Sequence, residues 1–409
     1  MSQSDRNNYE TLRENDNTYT VDDAIENLGN GKYQIMIFVV SLLSWMTEGM
    51  ELLLAAILGP LLICHWKISP ISESIMSSAT YVGFTLGSVL FVPLADKAGR
   101  LGASYSLGVF LQSVLAYFII PNYGWRIWVA VISTITLLSF LLSLSLQESP
   151  RFTEKLGNVR KTESILKIMY KWNNKPFLKG RLLQKTAKLP KINSYAEILK
   201  FEDKFSATFL YLTWFGINLV YFGICLIIPQ ILKDGGGCMK NLTISNNYGM
   251  DEFGNCQVFS GKDFLYIMLS GFSEVVAAFA TWLLIERVGR INMIFVDNLL
   301  TGIISLVLIH CFPKAVYVVL LCLARAFSCS SSHVIILLAC EFFPTNIRST
   351  AVGIGFFVCK IGAALSPFIG QYLVTYYPRG AIGTIGVFSL STSLIVLFIK
   401  RDTTSAYLD

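Results

Sequence analysis

Six ionisable residues of this chain stand inside long apolar runs: Glu48, Glu51, Glu274, Asp297, Arg325 and Lys360. An ionised side chain within a bilayer is costly unless it is paired or wetted, so each marks a place where charge is used. Glu48 and Glu51, three residues apart, share one helix face. Glu51 or Glu274 could take up a coupling proton or a cationic solute. Arg325 or Lys360 could hold an anionic solute or exchange partners between two states. Four acids against two cations equally permit a set of structural ion pairs. Asp297, a turn or two from the end of its run, reads as interfacial. Tyr211, Trp214, Asn218 and Tyr221 follow at i, i+3, i+7 and i+10, a stripe that could stack an organic ring or cation, or simply pack. Ser328, Ser330, Ser331 and Ser332, with Gly380, Gly383 and Gly386, are small residues suited to close helix contact.

Other chemistry is missing from the pattern. There is no Gly-rich phosphate loop and no paired nucleophile and base, so the chain reads as neither an enzyme nor a cofactor protein. His65, His310 and His333 lie far apart, and Cys64, Cys225, Cys311, Cys322, Cys329, Cys340 and Cys359 sit in or beside apolar runs without metal-ligand spacing, so no metal site is expected. Cys238 and Cys256 share a polar loop with the sequon Asn241-Leu242-Thr243, which predicts a disulfide and a glycan in an oxidising space.

The elements that must position these residues follow from composition. Of 409 residues, 15% are charged, against about 25% in soluble domains, while 53% are hydrophobic and the mean hydropathy is +0.55. Too little polar surface remains to cover a core in water, so the apolar excess faces lipid. A helix needs about 20 apolar residues to span a bilayer. Runs of that kind occupy about 33–63, 71–94, 102–121, 126–147, 206–231, 263–285, 292–312, 315–340, 350–374 and 380–399. The expected fold is an all-α polytopic membrane bundle of about ten transmembrane helices.

Sidedness follows from Lys and Arg in the connections. With the N-terminus inside, the inner segments hold 24 of them and the outer segments 7. The division is then a polar cytoplasmic tail 1–32 without a signal-type apolar core, an N-terminal helical set 33–147, a basic cytoplasmic loop 148–205, a C-terminal six-helix set 206–400 with an extracytoplasmic loop 232–262, and a tail 401–409. Most of the net charge of +6 is concentrated in the basic loop, which argues against nucleic acid as a partner.

A repeat organises the two sets. Asp96-Lys97-Ala98-Gly99-Arg100 follows the second run, and Glu286-Arg287-Val288-Gly289-Arg290 follows the sixth. An acid, a glycine and an arginine at a turn between helices fit a gate at the basic face: the acid against a helix N-terminus, the glycine for the turn, the arginine for a carboxylate across the bundle. Two crossings follow the first copy and four follow the second, so the N-terminal set is two helices short.

With Trp45-Met46, Met50-Glu51, Gly124-Trp125-Arg126, Glu148-Ser149-Pro150-Arg151, Trp214-Phe215, Tyr221-Phe222-Gly223, Ala324-Arg325-Ala326-Phe327, and Glu341 with Pro344, Thr345 and Arg348, the chain resembles the major facilitator superfamily of transporters. Within it the sequence is most similar to the synaptic-vesicle-two-related proteins (SVOP and SVOP-like). The likeness runs from about Val21 to Lys400. It implies a multi-pass transporter of the plasma membrane or an intracellular vesicle, both termini cytosolic, moving a small organic solute with possible proton or ion coupling. It also implies that Asp96, Gly99, Arg100, Glu286, Arg287, Gly289, Arg290, Glu341 and Arg348 form cytoplasmic gate motifs. The missing helices correspond to the third and fourth of such relatives. Val92 and Leu101 depart from the usual residues around the first motif. Losing two helices would bare faces carrying Glu48 and Glu51 to lipid, which predicts weak transport and self-association through the incomplete set; a non-transporting binding protein or a truncated product is the alternative.

Overall fold

The structure, a computed structural model, describes residues 18–91, 102–155, 157–183, 203–233, 249–250, 256–344 and 347–400. Its helices are α1 (Val21–Leu28), α2 (Lys32–Trp66), α3 (Pro70–Phe91), α4 (Gly102–Tyr123), α5 (Trp125–Ser143), α6 (Pro150–Lys155), α7 (Val159–Trp172), α8 (Lys204–Lys233), α9 (Gly261–Val288), α10 (Arg290–Val307), α11 (Lys314–Phe342), α12 (Arg348–Pro367), α13 (Val374–Tyr376) and α14 (Pro378–Val396). A π-helical turn, Phe368–Leu373, joins α12 to α13. Two short strand pairs accompany them: β1 (Thr18–Tyr19) parallel to β2 (Arg181–Leu182), and β3 (Gly249–Met250) antiparallel to β4 (Cys256–Gln257).

The helices coincide with the apolar runs because in lipid a backbone must satisfy its own hydrogen bonds. Among the described residues, nine helical stretches are long and apolar enough to cross a bilayer. The tenth run forms α3, 22 residues long, which ends beside the segment 92–101, outside the described residues. Among the described residues, four long helices precede the basic loop and six follow it. Helix ends carry local signals: Ser260 and Asp263 form a capping box at the start of α9, and Pro378 opens α14. Pro367 gives way to the π turn, where a proline has removed a backbone donor.

The chain divides into two compact units, one of residues 1–44 and 138–193, the other of residues 45–137 and 194–409. In the first, Tyr19, Val21, Ala24, Leu28, Tyr33, Ile165, Leu166, Met169, Tyr170 and Leu182 form a small core. The Tyr170 hydroxyl donates to the carbonyl of Ala24 at 2.8 Å, and burial pushes its phenol pKa up. Asn173 accepts from the Tyr33 amide at 2.9 Å and donates to Gln34 at 2.8 Å, capping the start of α2. From Thr18 on, the polar N-terminal segment is therefore ordered against the basic loop.

In the second unit α8 is the central helix, packed on α11, α12 and α14, while α10 packs on α11 and α14 and α9 on α11. The N-terminal helices join this set through two faces. α3 lies along α12, where Ser74 and Ser78 donate to the carbonyls of Pro367 and Ala364 at 3.1 and 2.8 Å. α4 lies along α9. Gly49 of α2 faces the Tyr105 carbonyl of α4, and Gly108 of α4 faces the Met46 carbonyl of α2; a Cβ at either would collide with backbone, so the two helices cross at glycine distance. Outward-facing residues are large and apolar, such as Phe279 and Trp282, the latter 70% exposed.

Candidate functional site

Two of the second unit's ion pairs join residues that stand within the apolar runs. Arg325 of α11 donates from Nε to Glu274 Oε1 of α9 at 2.5 Å and from Nη1 to Ser270 at 2.9 Å. Tyr221 of α8 donates its hydroxyl to the same carboxylate oxygen at 3.0 Å, and the Cys225 thiol stands 3.8 Å from it. Arg325 and Glu274 are both 0% exposed. Charges withdrawn this far from water persist only when paired and hydrogen-bonded. Among the described residues, Arg325 Nη2, Glu274 Oε2 and the Tyr105 hydroxyl have no hydrogen-bond partner, so the cluster retains polar atoms able to bind something more.

The second pair links the N-terminal helices to the C-terminal set. Lys360 of α12 donates to Glu48 Oε1 of α2 at 2.6 Å. Its ammonium lies 5.0 Å from the Phe84 ring centre and 5.8 Å from that of Phe222, within cation–π range. The Lys360 side chain is 9% exposed and that of Glu48 30%, so the acid is the member that water can reach. α4 adjoins the first cluster: the Tyr105 ring lies 6.3 Å from that of Tyr221, and Ser106 Oγ is 3.6 Å from Cys329 Sγ of α11. Lys360 thus meets the bare carboxylate on α2 from within the same chain, which removes the reason to expect Glu48 to seek a partner in another copy.

The bundle ends differ. At the end bearing the basic connections, Arg290 donates to Glu286 at 3.0 and 2.8 Å and to Glu341 at 3.1 Å from two nitrogens. Gly289, at φ 85°, supplies the turn between α9 and α10. Arg348 donates to the carbonyl of Phe343 at 3.1 Å, and Arg287 is exposed. Asp96, Gly99 and Arg100 lie outside the described residues. At the opposite end, Gln230 of α8 donates to Glu73 of α3 at 2.7 Å, both buried.

The aromatic stripe of α8 is divided between packing and chemistry. Tyr211 donates to the Ala351 carbonyl at 3.0 Å and stacks on Phe343, Trp214 packs on Phe356, and the Asn218 amide turns back to the Trp214 carbonyl at 2.9 Å. Tyr221 alone of the four reaches the ion cluster. Glu51 stands beside Glu48, partly buried. Asp297 is 6% exposed, in a helix that packs against α11 and α14. Sequence reasoning passed over Glu73, Gln230, Ser270, Phe84 and Tyr105. Glu73 carried a usable signal, an acid inside an apolar run; the other four are neutral and become visible only through their partners.

Cys64, at the end of α2, is disulfide-bonded, whereas Cys225, Cys311, Cys322, Cys329, Cys340 and Cys359 are free. Of the nine cysteines, Cys238 and Cys256 are the two outside these seven, so either is a candidate partner for Cys64, in competition with the expected pairing of Cys238 with Cys256. Peptide mapping without reduction is expected to recover Cys64 linked to a peptide from 234–262. A Cys238–Cys256 peptide with Cys64 free would contradict this. Asn241 and Cys238 lie outside the described residues.

The sequence signature of the sugar (and other) transporter family matches residues 102–406, three quarters of the chain. The chain belongs to that family. This transporter is 24% identical to the synaptic vesicle 2-related protein of Pongo abelii, over 88% of its own length and 76% of the relative's. It is 24% identical to the human putative transporter SVOPL over 89% and 88%, and 22% identical to the putative transporter svop-1 of Caenorhabditis elegans over 93% and 85%. Among solved structures, its fold resembles the proton:xylose symporter XylE bound to 6-bromo-6-deoxy-D-glucose, with TM-score 0.60, 15% identity and coverage of 92% and 98%. A partially occluded, inward-open form of XylE from E. coli gives TM-score 0.55 at 14% identity, covering 92% of this transporter and 100% of XylE. The transporter is therefore an integral multi-pass membrane protein of major facilitator type.

Proposed function

We propose that the transporter carries a small organic solute by alternating access, with the N-terminal helices α2 to α5 and the C-terminal helices α8 to α14 rocking about the Glu48–Lys360 pair. The observation that carries this reading is that pair, a part-buried charge contact between the two sets. A pair that had only to stabilise would gain little over apolar packing, whereas one that must open in every cycle can be switched by a proton on the more accessible acid. Glu48, with Glu51 beside it, is the proposed proton acceptor; Lys360, freed when Glu48 is neutralised, and the unpartnered atoms of Arg325, Glu274 and Tyr105 are the proposed solute contacts. The Glu73–Gln230 bond and the α3–α12 contacts support a state closed at the end away from the basic connections, which the 24 to 7 charge split assigns to the extracytoplasmic side. Arg290 with Glu286 and Glu341 is read as a latch on the cytoplasmic side.

Uptake of labelled sugars, organic cations and organic anions into proteoliposomes, with and without an inwardly directed proton gradient, tests the reading. We expect saturable uptake of at least one class, stimulated by the gradient and lost in both Glu48→Gln and Lys360→Gln. Absence of saturable uptake for every class would favour a non-transporting protein, which four helices against six in the two sets would then explain.

A further inference from the structure

Among the described residues, Asp297 is a buried acid that neither ion pair uses. Asp297 on α10 is 6% exposed, and its Oδ2 has no hydrogen-bond partner; the neighbouring Asn298 is 1% exposed, and its Oδ1 has none either. Around them stand hydroxyls of three other helices. Ser330 of α11 reaches the Asp297 carboxyl group and lies 2.8 Å from Thr281 of α9. The Asn298 amide nitrogen donates to Ser331 at 2.8 Å, and Ser389 of α14 donates to the Asn298 carbonyl at 2.7 Å. No Lys or Arg forms an ion pair with Asp297 among the described residues: Arg290 is engaged by Glu286 and Glu341, and Arg325 by Glu274.

A carboxylate at this depth requires a positive charge. The atoms offered are all oxygens: one carboxylate, one amide carbonyl and hydroxyls, the donor set of hard cations. A single carboxylate balances one charge, so a divalent ion would leave an uncompensated charge within the bilayer. A proton would serve one oxygen and leave Asn298 Oδ1 without a partner. We infer that Asp297, Asn298, Ser330 and Thr281 form a binding site for a monovalent metal cation of sodium's size, buried within the C-terminal helices. Binding there tightens α10 against α11 and α9, and it is separate from solute movement: it can be measured on a protein that transports nothing.

The test is thermal unfolding of the purified full-length chain in detergent, in sodium chloride or in choline chloride at equal ionic strength and pH. An ion that binds only the native state raises Tm by mass action, here by about 2–4 °C at saturation. Asp297→Asn should keep the fold and abolish the sodium-dependent rise. Ser330→Ala, which leaves the carboxylate in place, should shift the sodium midpoint upward about tenfold, and it serves as the test should Asp297→Asn fail to fold. Equal Tm in the two salts, or a sodium-dependent rise undiminished in both variants, would overturn the inference.

Discussion

Arg325→Ala is expected to yield little folded protein. The substitution leaves Glu274, 0% exposed, without its cation, with the Tyr221 hydroxyl and the Cys225 thiol as donors to the bonded oxygen. Removing one member of a buried pair costs about 3–5 kcal/mol, a large share of the stability of any fold. Glu274→Ala should cost a similar amount, since it leaves a guanidinium held by Ser270 alone. Arg325→Met with Glu274→Leu should recover most of the loss, because two apolar groups of similar volume need no partners. The measurement is the fraction of monodisperse protein on size exclusion after heating, for the two single variants and the double. If the single variants match the wild type, or the double is worse than their sum, the cluster is not held together by this pair.

Lys360→Gln should separate stability from movement. The Glu48 side chain is 30% exposed, so water or a proton can satisfy it once the lysine is gone, and the cost in stability should be about 1–2 kcal/mol, less than for the Arg325 pair. The effect on the proposed cycle should be larger, at least about a hundredfold in solute flux, because the contact that distinguishes the two states is lost. Glu48→Gln should mimic the protonated acid and abolish stimulation by a proton gradient while leaving Tm close to wild type. Retention of gradient-stimulated uptake in Glu48→Gln would remove Glu48 from the coupling role. These values come from thermal shift and uptake on the same preparations.

What the sequence disclosed, and what it withheld, depends on how local each signal is. The apolar runs read almost directly as α2 to α5 and α8 to α14, since hydropathy over about 20 residues decides membrane burial without reference to partners. Glu286 and Arg290 pair at i,i+4 and were legible as a motif; Glu341, 51 positions further on, was named among the gate motifs only through the resemblance, and its bond to Arg290 was not legible from spacing. The Glu48–Lys360 bond joins residues 312 positions apart, a distance at which spacing carries no information, so each residue was identifiable as a candidate while their pairing was not. Tyr221 and Tyr211 looked alike in a stripe at helical spacing, yet one meets an ion cluster and the other a backbone carbonyl, because α8 presents its length to different neighbours. Asp297 shows the same limit: its distance from the end of the run is a property of α10 alone, while its burial comes from packing against other helices.

The claim at the centre of this account is that the N-terminal and C-terminal helices separate at one end when the Glu48–Lys360 contact is released. Spin labels at Ile71, on the exposed face near the start of α3, and at Tyr376, exposed at the end of α13, report that separation directly as a distance distribution in lipid nanodiscs. The account predicts a dominant short distance in the wild-type protein at neutral pH and a second, longer population that grows in Lys360→Gln and Glu48→Gln. One short distance, unchanged in both variants and across pH, would contradict it and would make the pair a fixed structural bond.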